Sequence, residues 1–246
     1  MTNSRGRARI GVLVPFTNTN LEADLAMLRP AGVSLHFARL GGYDLDAVPD
    51  AEQMAGLGLA SLDEPLRLIA GVRPDVILYG CTSATLTHGR AFDRELAARI
   101  RAASGAPTVT AAGALLRALR TLGATRIGFA SPYVGEINEL AVEFLAQAEV
   151  ETVARADIGR QLDNHGQGEL TPDEVFELGR RADAAGVEAI VLSCTDMRGA
   201  ETIERLEAEL GKPVVASNQA LLFAALRDLD IDGVGCGRLF NHGKLA

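Results

Sequence analysis

Two cysteines, Cys81 and Cys194, hold the most chemical promise in this chain. Each closes a short apolar run and is followed at once by a threonine: Tyr79-Gly80-Cys81-Thr82-Ser83 and Leu192-Ser193-Cys194-Thr195-Asp196. A lone cysteine at a strand end is more often a small buried hydrophobe than a reagent. Two in equivalent settings, each ahead of a helical start, predict a working pair, because a helix N-terminus favours the thiolate. Such a pair could attack a carbon centre as a nucleophile, or trade protons with it as acid and base. A disulfide between them is disfavoured, since three cysteines in 246 residues suit a reducing compartment. Cys236, within Gly235-Cys236-Gly237-Arg238, has no counterpart of this kind and reads as structural.

Several polar residues stand where they could hold a ligand beside the cysteines. Asn18, in Pro15-Phe16-Thr17-Asn18-Thr19-Asn20, could donate its amide to a carboxylate or serve as a turn residue. Thr82, Ser83 and Thr195 bring hydroxyls and backbone N–H groups to loop-to-helix turns, which bind carboxylates without a cationic side chain and equally cap helices. Tyr133, after Ser131-Pro132, could aim its hydroxyl at the same place or be ordinary half-buried packing. Asp163-Asn164-His165-Gly166 is a polar loop open to either reading. His36, His88, His165 and His242 are scattered, and no metal-binding His-Glu-x-x-His occurs. Gly56-Leu57-Gly58 lies in a helical pattern, not after a strand, and no phosphate-binding Gly-Lys-Ser/Thr loop or Gly-x-Ser-x-Gly elbow is present. Neither a metal nor a cofactor is expected.

The elements that must position these residues alternate. Apolar runs at Arg9–Val14, Val33–Phe37, Asp75–Tyr79, Thr108–Thr110, Arg126–Ala130, Glu188–Leu192, Pro213–Ala216 and Gly233–Cys236 predict strands buried on both faces. Helical patterns at Leu21–Leu28, Ala51–Ala70, Arg90–Ala103, Ala112–Leu122, Glu136–Glu149, Pro172–Ala185, Glu201–Leu210 and Ala220–Leu229 separate most of them. Thr171, with Pro172, Asp173 and Glu174 after it, is a strong helix start. Strand–helix alternation predicts an α/β fold with parallel sheets flanked by helices.

The chain also repeats itself. Arg9-Ile10-Gly11 with Pro15-Phe16 matches Arg126-Ile127-Gly128 with Pro132-Tyr133. Asp75–Thr82 matches Glu188–Thr195, and Val109–Leu116 matches Val215–Leu222. The repeat predicts two pseudo-symmetric lobes facing each other across a cleft: lobe one from 1–115 plus 220–246 with Cys81, lobe two from 116–219 with Cys194. Ligands of open parallel sheets bind beyond the carboxyl ends of the strands, which would put the two cysteines on opposite walls.

Composition narrows the partners. A net charge of −8, 4% aromatic residues and no Trp argue against a nucleic-acid surface. The apolar runs are too short for a membrane span. Arg5, Arg7 and Arg9 before Ile10–Phe16 faintly suggest a signal peptide, but Pro15 and the polar residues after it end the run, so a cytoplasmic location is expected.

The paired strand-Cys-Thr blocks resemble the aspartate/glutamate racemase superfamily, and within it the maleate cis-trans isomerases and the related arylmalonate decarboxylases. Val14-Pro15-Phe16-Thr17-Asn18-Thr19-Asn20-Leu21-Glu22 is similar to the isomerase segment V-P-S-S-N-T-T-M-E. Asp163-Asn164 resembles an Asp-Asn pair of that group. Ser131-Pro132-Tyr133 and Gly235-Cys236-Gly237-Arg238-Leu239-Phe240 look like segments of the decarboxylases. The resemblance implies a cofactor-independent isomerisation of maleate, or a close dicarboxylate, to fumarate. In it Cys81 is the nucleophile, Cys194 the acid/base, Asn18 and Asn164 hold carboxylates, and Tyr133 orients the substrate. A homodimer is plausible for such enzymes. The same cysteines serve an amino-acid or hydantoin racemase in the alternative reading. A decarboxylase is less expected, since those relatives carry Gly where this chain has Cys81, and a non-catalytic small-molecule binder is the remaining alternative.

Overall fold

The computed structural model describes residues 8–41, 49–60, 62–233 and 235–241. Arg5, Arg7 and His242, and Val234 of the expected last strand, lie outside the described residues. The first half runs β1 (Ala8–Pro15), α1 (Leu21–Leu28), β2 (Val33–Leu40), α2 (Ala51–Leu59), α3 (Asp63–Ala70), β3 (Val76–Tyr79), α4 (Thr82–Leu86), α5 (Gly89–Ser104), β4 (Thr108–Thr110) and α6 (Ala111–Leu122). The second runs β5 (Arg126–Ser131), α7 (Gly135–Ala146), β6 (Glu151–Asp157), α8 (Pro172–Arg181), β7 (Ala189–Leu192), α9 (Ile203–Leu210), β8 (Val214–Ala216), α10 (Ser217–Asp228) and α11 (Gly237–Asn241).

Two four-stranded parallel sheets result, ordered β2-β1-β3-β4 and β6-β5-β7-β8. Adding four to every strand number of the first sheet gives the second, so the sequence repeat is also an architectural one. The inner strands β3 and β7 are buried at every position, which is why they read as unbroken apolar runs. Their registers also correspond: β1 pairs with β3 from Ile10–Val76 to Leu13–Tyr79, and β5 with β7 from Ile127–Ala189 to Ala130–Leu192. Each cysteine therefore leaves its sheet at the same edge.

The two sheets share one hydrophobic interior. α6 and α10, the helices that follow the last strand of each sheet, pack against each other. α10 is buried from Ser217 through Leu226 and also meets α1, β3 and β4 of the first half. A helix covered on all sides has no polar face to show, as its Ala220–Leu226 stretch reflects. The expected helix start at Thr171 is present, and it is a capping box: Thr171 Oγ1 accepts from the Glu174 N–H at 3.2 Å, and the Glu174 carboxylate accepts from the Thr171 N–H at 2.9 Å.

Two expected elements need correction, and three elements had not been expected. Ala51–Ala70 is two helices, α2 and α3, because Pro65 inside one continuous helix would lack a donor and strike the carbonyl four residues back; in the first turn of α3 it is tolerated. No strand forms among the described residues of Gly233–Cys236. There the chain passes against the Phe240 ring so closely that a Cβ on Gly235 would stand 2.3 Å from it. β6 was not expected: it is an edge strand, half exposed along most of its length, so Glu151, Arg155 and Asp157 break the apolar run. The short helices α4 and α11 were also unforeseen.

Candidate active site

The loops that leave β1, β3 and β7 meet in one hollow of about 370 Å³. Its wall includes all eight residues singled out from the sequence: Cys81 and Cys194, with Asn18, Thr82, Ser83, Tyr133, Asn164 and Thr195. Pro15, Thr17, Pro49, Met54, Gln167 and Asp196 complete it. A hollow of equal size beside Phe223 and Phe240 contains no thiol.

Cys81 caps α4, with extended backbone angles that let the first-turn amides face its sulfur. The N–H groups of Ser83 and Ala84 interact with Sγ, and Ser83 Oγ lies 3.7 Å from it. Gly80 is required just before it: a Cβ there would stand 2.3 Å from Leu21 Cδ2 and 3.0 Å from the Leu13 carbonyl. Cys194 Sγ accepts from the Asp196 N–H at 3.3 Å and donates to Gln167 Oε1 at 3.5 Å.

The helix-N-terminus argument for a lowered thiol pKa is corrected by the structure. Burial pushes the Cys81 thiol up, and the amides of α4 only partly oppose it, with the Asp196 charge adding to the rise. Burial and then the Asp196 charge push Cys194 up as well, ahead of the opposing Asp196 N–H and Tyr133. Both groups are therefore thiols at neutral pH. α4 has only five residues, too short a helix to overcome full burial, and the helical start expected after Cys194 and Thr195 is absent, since the chain there turns without forming a helix until α9 begins at Ile203. Tyr133 is raised too, by burial first and then by the charge of Cys194 and Cys81. Its hydroxyl thus senses both sulfurs, and it is buried without a hydrogen-bond partner among the described residues, as is the Ser193 hydroxyl.

Thr195 ties the two halves together at the site. Its hydroxyl donates to the Gly80 carbonyl at 2.9 Å and accepts from Asn18 Nδ2 at 3.2 Å. Asn18 Oδ1 accepts from the Asn20 and Leu21 N–H groups at the start of α1. Thr82 Oγ1 donates to Ser217 Oγ at 3.1 Å. Asn18, Thr82 and Thr195 are thus already engaged with protein partners, and Asn164 also lines the hollow, from the loop after β6.

Asp196 was passed over in the sequence, although it stands two residues after Cys194 as Ser83 does after Cys81. Its Oδ1 accepts from the N–H groups of Thr19 at 2.7 Å and Asn20 at 3.0 Å, across the cleft. Burial nonetheless pushes its carboxyl up from 3.8 to about 6. Because the native carboxyl holds its proton more tightly than the unfolded chain does, stability declines as pH rises from about 4 to about 6, by at most about 3 kcal/mol from this group. Asp196→Asn keeps an acceptor oxygen and removes the titration, so the decline in unfolding free energy over that window should shrink by about 2 kcal/mol. Urea unfolding at a series of pH values reads it, and parallel wild-type and variant curves would contradict the assignment.

No helix among the described residues is long and apolar enough to cross a membrane. The chain is similar to known proteins over nearly its whole length. The chain is 30% identical to the maleate isomerase of Pseudomonas putida over 250 residues, covering 95% of this chain and 97% of that protein. Its fold superposes on a cysteine-to-alanine variant of the maleate isomerase from Pseudomonas putida S16, solved with maleate, with a TM-score of 0.88 at 25% identity, covering 97% and 99% of the two chains. A cysteine-to-serine variant of the Nocardia farcinica maleate cis-trans isomerase, carrying a covalently bound succinylcysteine intermediate, gives a TM-score of 0.85 at 28% identity, covering 96% and 98%. The arylmalonate decarboxylase family model matches residues 10–240, nearly the whole described fold, and the chain belongs to that family.

Proposed function

We propose that the protein is a cofactor-independent cis-trans isomerase that converts maleate, or a close cis-dicarboxylate, to fumarate. The observation that carries this reading is the meeting of Cys81 and Cys194, from equivalent strand ends, in one hollow whose other donors are neutral. The relatives named above, one solved with maleate and one with a succinylcysteine, support it.

The reaction divides one prohibitive rotation into easier steps. Cys81 first loses its thiol proton to solvent; the minor thiolate so formed adds to one alkene carbon, and the electron pair moves onto the neighbouring carbon and its carboxylate. Backbone N–H groups and the amides of Asn18 and Asn164 stabilise that enediolate-like charge. The Cys194 thiol delivers its proton to the carbanionic carbon, leaving a succinyl group on Cys81 and a thiolate on Cys194. The former double bond is now single and turns. Cys194 then removes a proton from the same carbon, the C–S bond breaks, and fumarate leaves with Cys81 again a thiolate. The Ser83 hydroxyl and the Ser83 and Ala84 amides favour the anion of Cys81. The Tyr133 hydroxyl, which senses both sulfurs, orients the substrate between them.

The packing of α10 against α1, β3 and β4 supports counting that helix with 1–115, whereas α11 packs against α9 and β8 and so speaks for a lobe two, taken as 116–219, that also includes the C-terminal helix. Purified protein incubated in heavy water with maleate, aspartate, glutamate and an arylmalonate, without added metal or nucleotide, tests the reading. Fumarate should form from maleate. Deuterium entering the α-carbon of an amino acid, or carbon dioxide released from the arylmalonate, with maleate untouched, would replace it.

A further inference from the structure

Asp24 is, among the described residues, the most deeply buried of the carboxyl groups that take no part in the chemistry above, deeper than Asp93 or Glu207. Asp24 lies on α1 at 2% exposure and is not on the wall of the hollow. Its Oδ2 accepts from Asn218 Nδ2 at 2.9 Å and from the Ala200 N–H at 3.4 Å. The same Asn218 nitrogen donates to the Thr195 carbonyl at 3.0 Å. Asn218 sits in the buried first turn of α10, so one amide joins α1 of the first half to the residue directly after Cys194.

This arrangement is costly to keep. Burial pushes the Asp24 carboxyl up to about 6, against the pull of Asn218 and Ala200; Glu201 adds to the rise, Arg198 opposes it, and Cys236 feels the Asp24 charge in turn. At neutral pH the chain therefore maintains an ionised carboxylate in its interior where an apolar residue would be tolerated at less cost. What the carboxylate visibly does is fix Asn218, and Asn218 fixes the carbonyl of Thr195. The Thr195 hydroxyl is separately bound to Gly80 and Asn18. Thr195 is thus held at its backbone by Asp24 and Asn218 and at its side chain by the opposite cysteine loop, and Cys194 is one peptide away.

We propose that Asp24 and Asn218 are positioning residues, a buried brace that sets the Cys194–Thr195 turn at the distance from Cys81 that proton delivery requires. The proposal rests on the isomerase reading of the same site. It assigns the brace an effect on the proton step and little on substrate binding, because neither residue faces the hollow.

The experiment compares Asp24→Ala, Asp24→Asn, Asn218→Ala and the Asp24→Ala/Asn218→Ala double variant in maleate turnover, and maps iodoacetamide labelling of each cysteine by peptide mass. Asp24→Ala should lower kcat about tenfold or more with KM within about threefold, a loss confined to the transition state. Asp24→Asn, which keeps an acceptor oxygen, should return kcat to within about threefold of wild type. The double variant should be no slower than the worse single one by more than about twofold, as expected of two parts of one device. Labelling of Cys194 should change about fivefold in Asp24→Ala while that of Cys81 stays within about twofold. The proposal is overturned by an unchanged kcat in Asp24→Ala, by Asp24→Asn as slow as Asp24→Ala, or by equal gains in labelling at both cysteines with a lowered Tm. Should the wild type leave maleate unchanged, the isomerase reading fails, and the labelling contrast still decides whether the brace exists.

Discussion

Cys81→Ala should lose on the order of 10⁴-fold in kcat or more, since removal of a nucleophile takes away the whole covalent route. The neutral donors of the wall remain, so maleate should still bind with an affinity within about tenfold of wild type. The substitution is smaller than the original and sits at a strand end already buried, so the fold should survive it. Turnover by the wild type should also rise with pH across the neutral range, because burial pushes the Cys81 thiol up and only its anion attacks. Maleate consumption followed by proton NMR, with ligand binding by calorimetry, separates the two effects. A Cys81→Ala protein that turns over within tenfold of wild type would remove Cys81 from the chemistry.

Cys194→Ser is expected to separate the two halves of the reaction. Addition at Cys81 remains open, but the hydroxyl is a poor substitute for a thiol that must give and then retake a proton. Loss of such a group costs about 10²–10⁴-fold in kcat. The adduct should therefore accumulate, and the intact mass should rise by one maleic acid, with the label on the peptide that contains Cys81. The reciprocal Cys81→Ser variant should gain no mass. An adduct found on Cys194 in that reciprocal variant, and none on Cys81, would exchange the roles of the two sulfurs. The succinylcysteine of the Nocardia farcinica variant makes the expected species chemically reasonable.

Much of the fold was legible because buried parallel strands advertise themselves. β3 and β7 are apolar at every residue, and each cysteine follows after a single residue, Gly80 or Ser193. What failed to show was whatever depended on partial exposure. β6 mixes Glu151, Arg155 and Asp157 with Val153 and Ala154, since an edge strand need not be apolar. The repeat itself carried the missing signal, for β2 has no other counterpart in the second sheet. Pro65 likewise carries a signal for the break between α2 and α3, since proline is tolerated in a first helical turn and not in a helix interior.

The site was legible to the extent that equivalent motifs mark equivalent places. Cys81, Cys194 and the hydroxyls beside them come to one wall because the registers of β1 with β3 and of β5 with β7 correspond. Asp196 and Gln167 were missed for a different reason. Each matters through a contact with a residue far along the chain, Asp196 with Thr19 and Asn20, Gln167 with Cys194. Motif spacing carries no trace of such pairings. The state of the thiols was misjudged because burial, unlike a helix start, cannot be read from neighbouring letters.

None of the described residues lining the hollow is Lys, Arg or His, and the protein as a whole carries a net charge of −8. A doubly negative guest is thus gripped by dipoles alone, whose pull fades within a few bond lengths. Among the described residues of the wall no cation draws it in from solution, and Arg39, which donates to the Asn18 carbonyl at 2.7 Å, stands behind the wall and is not part of it, so the lining itself lends capture none of the acceleration of a cationic funnel. The compensation lies at the other end of the cycle, where an anion held by no formal positive charge is readily surrendered once its geometry has changed.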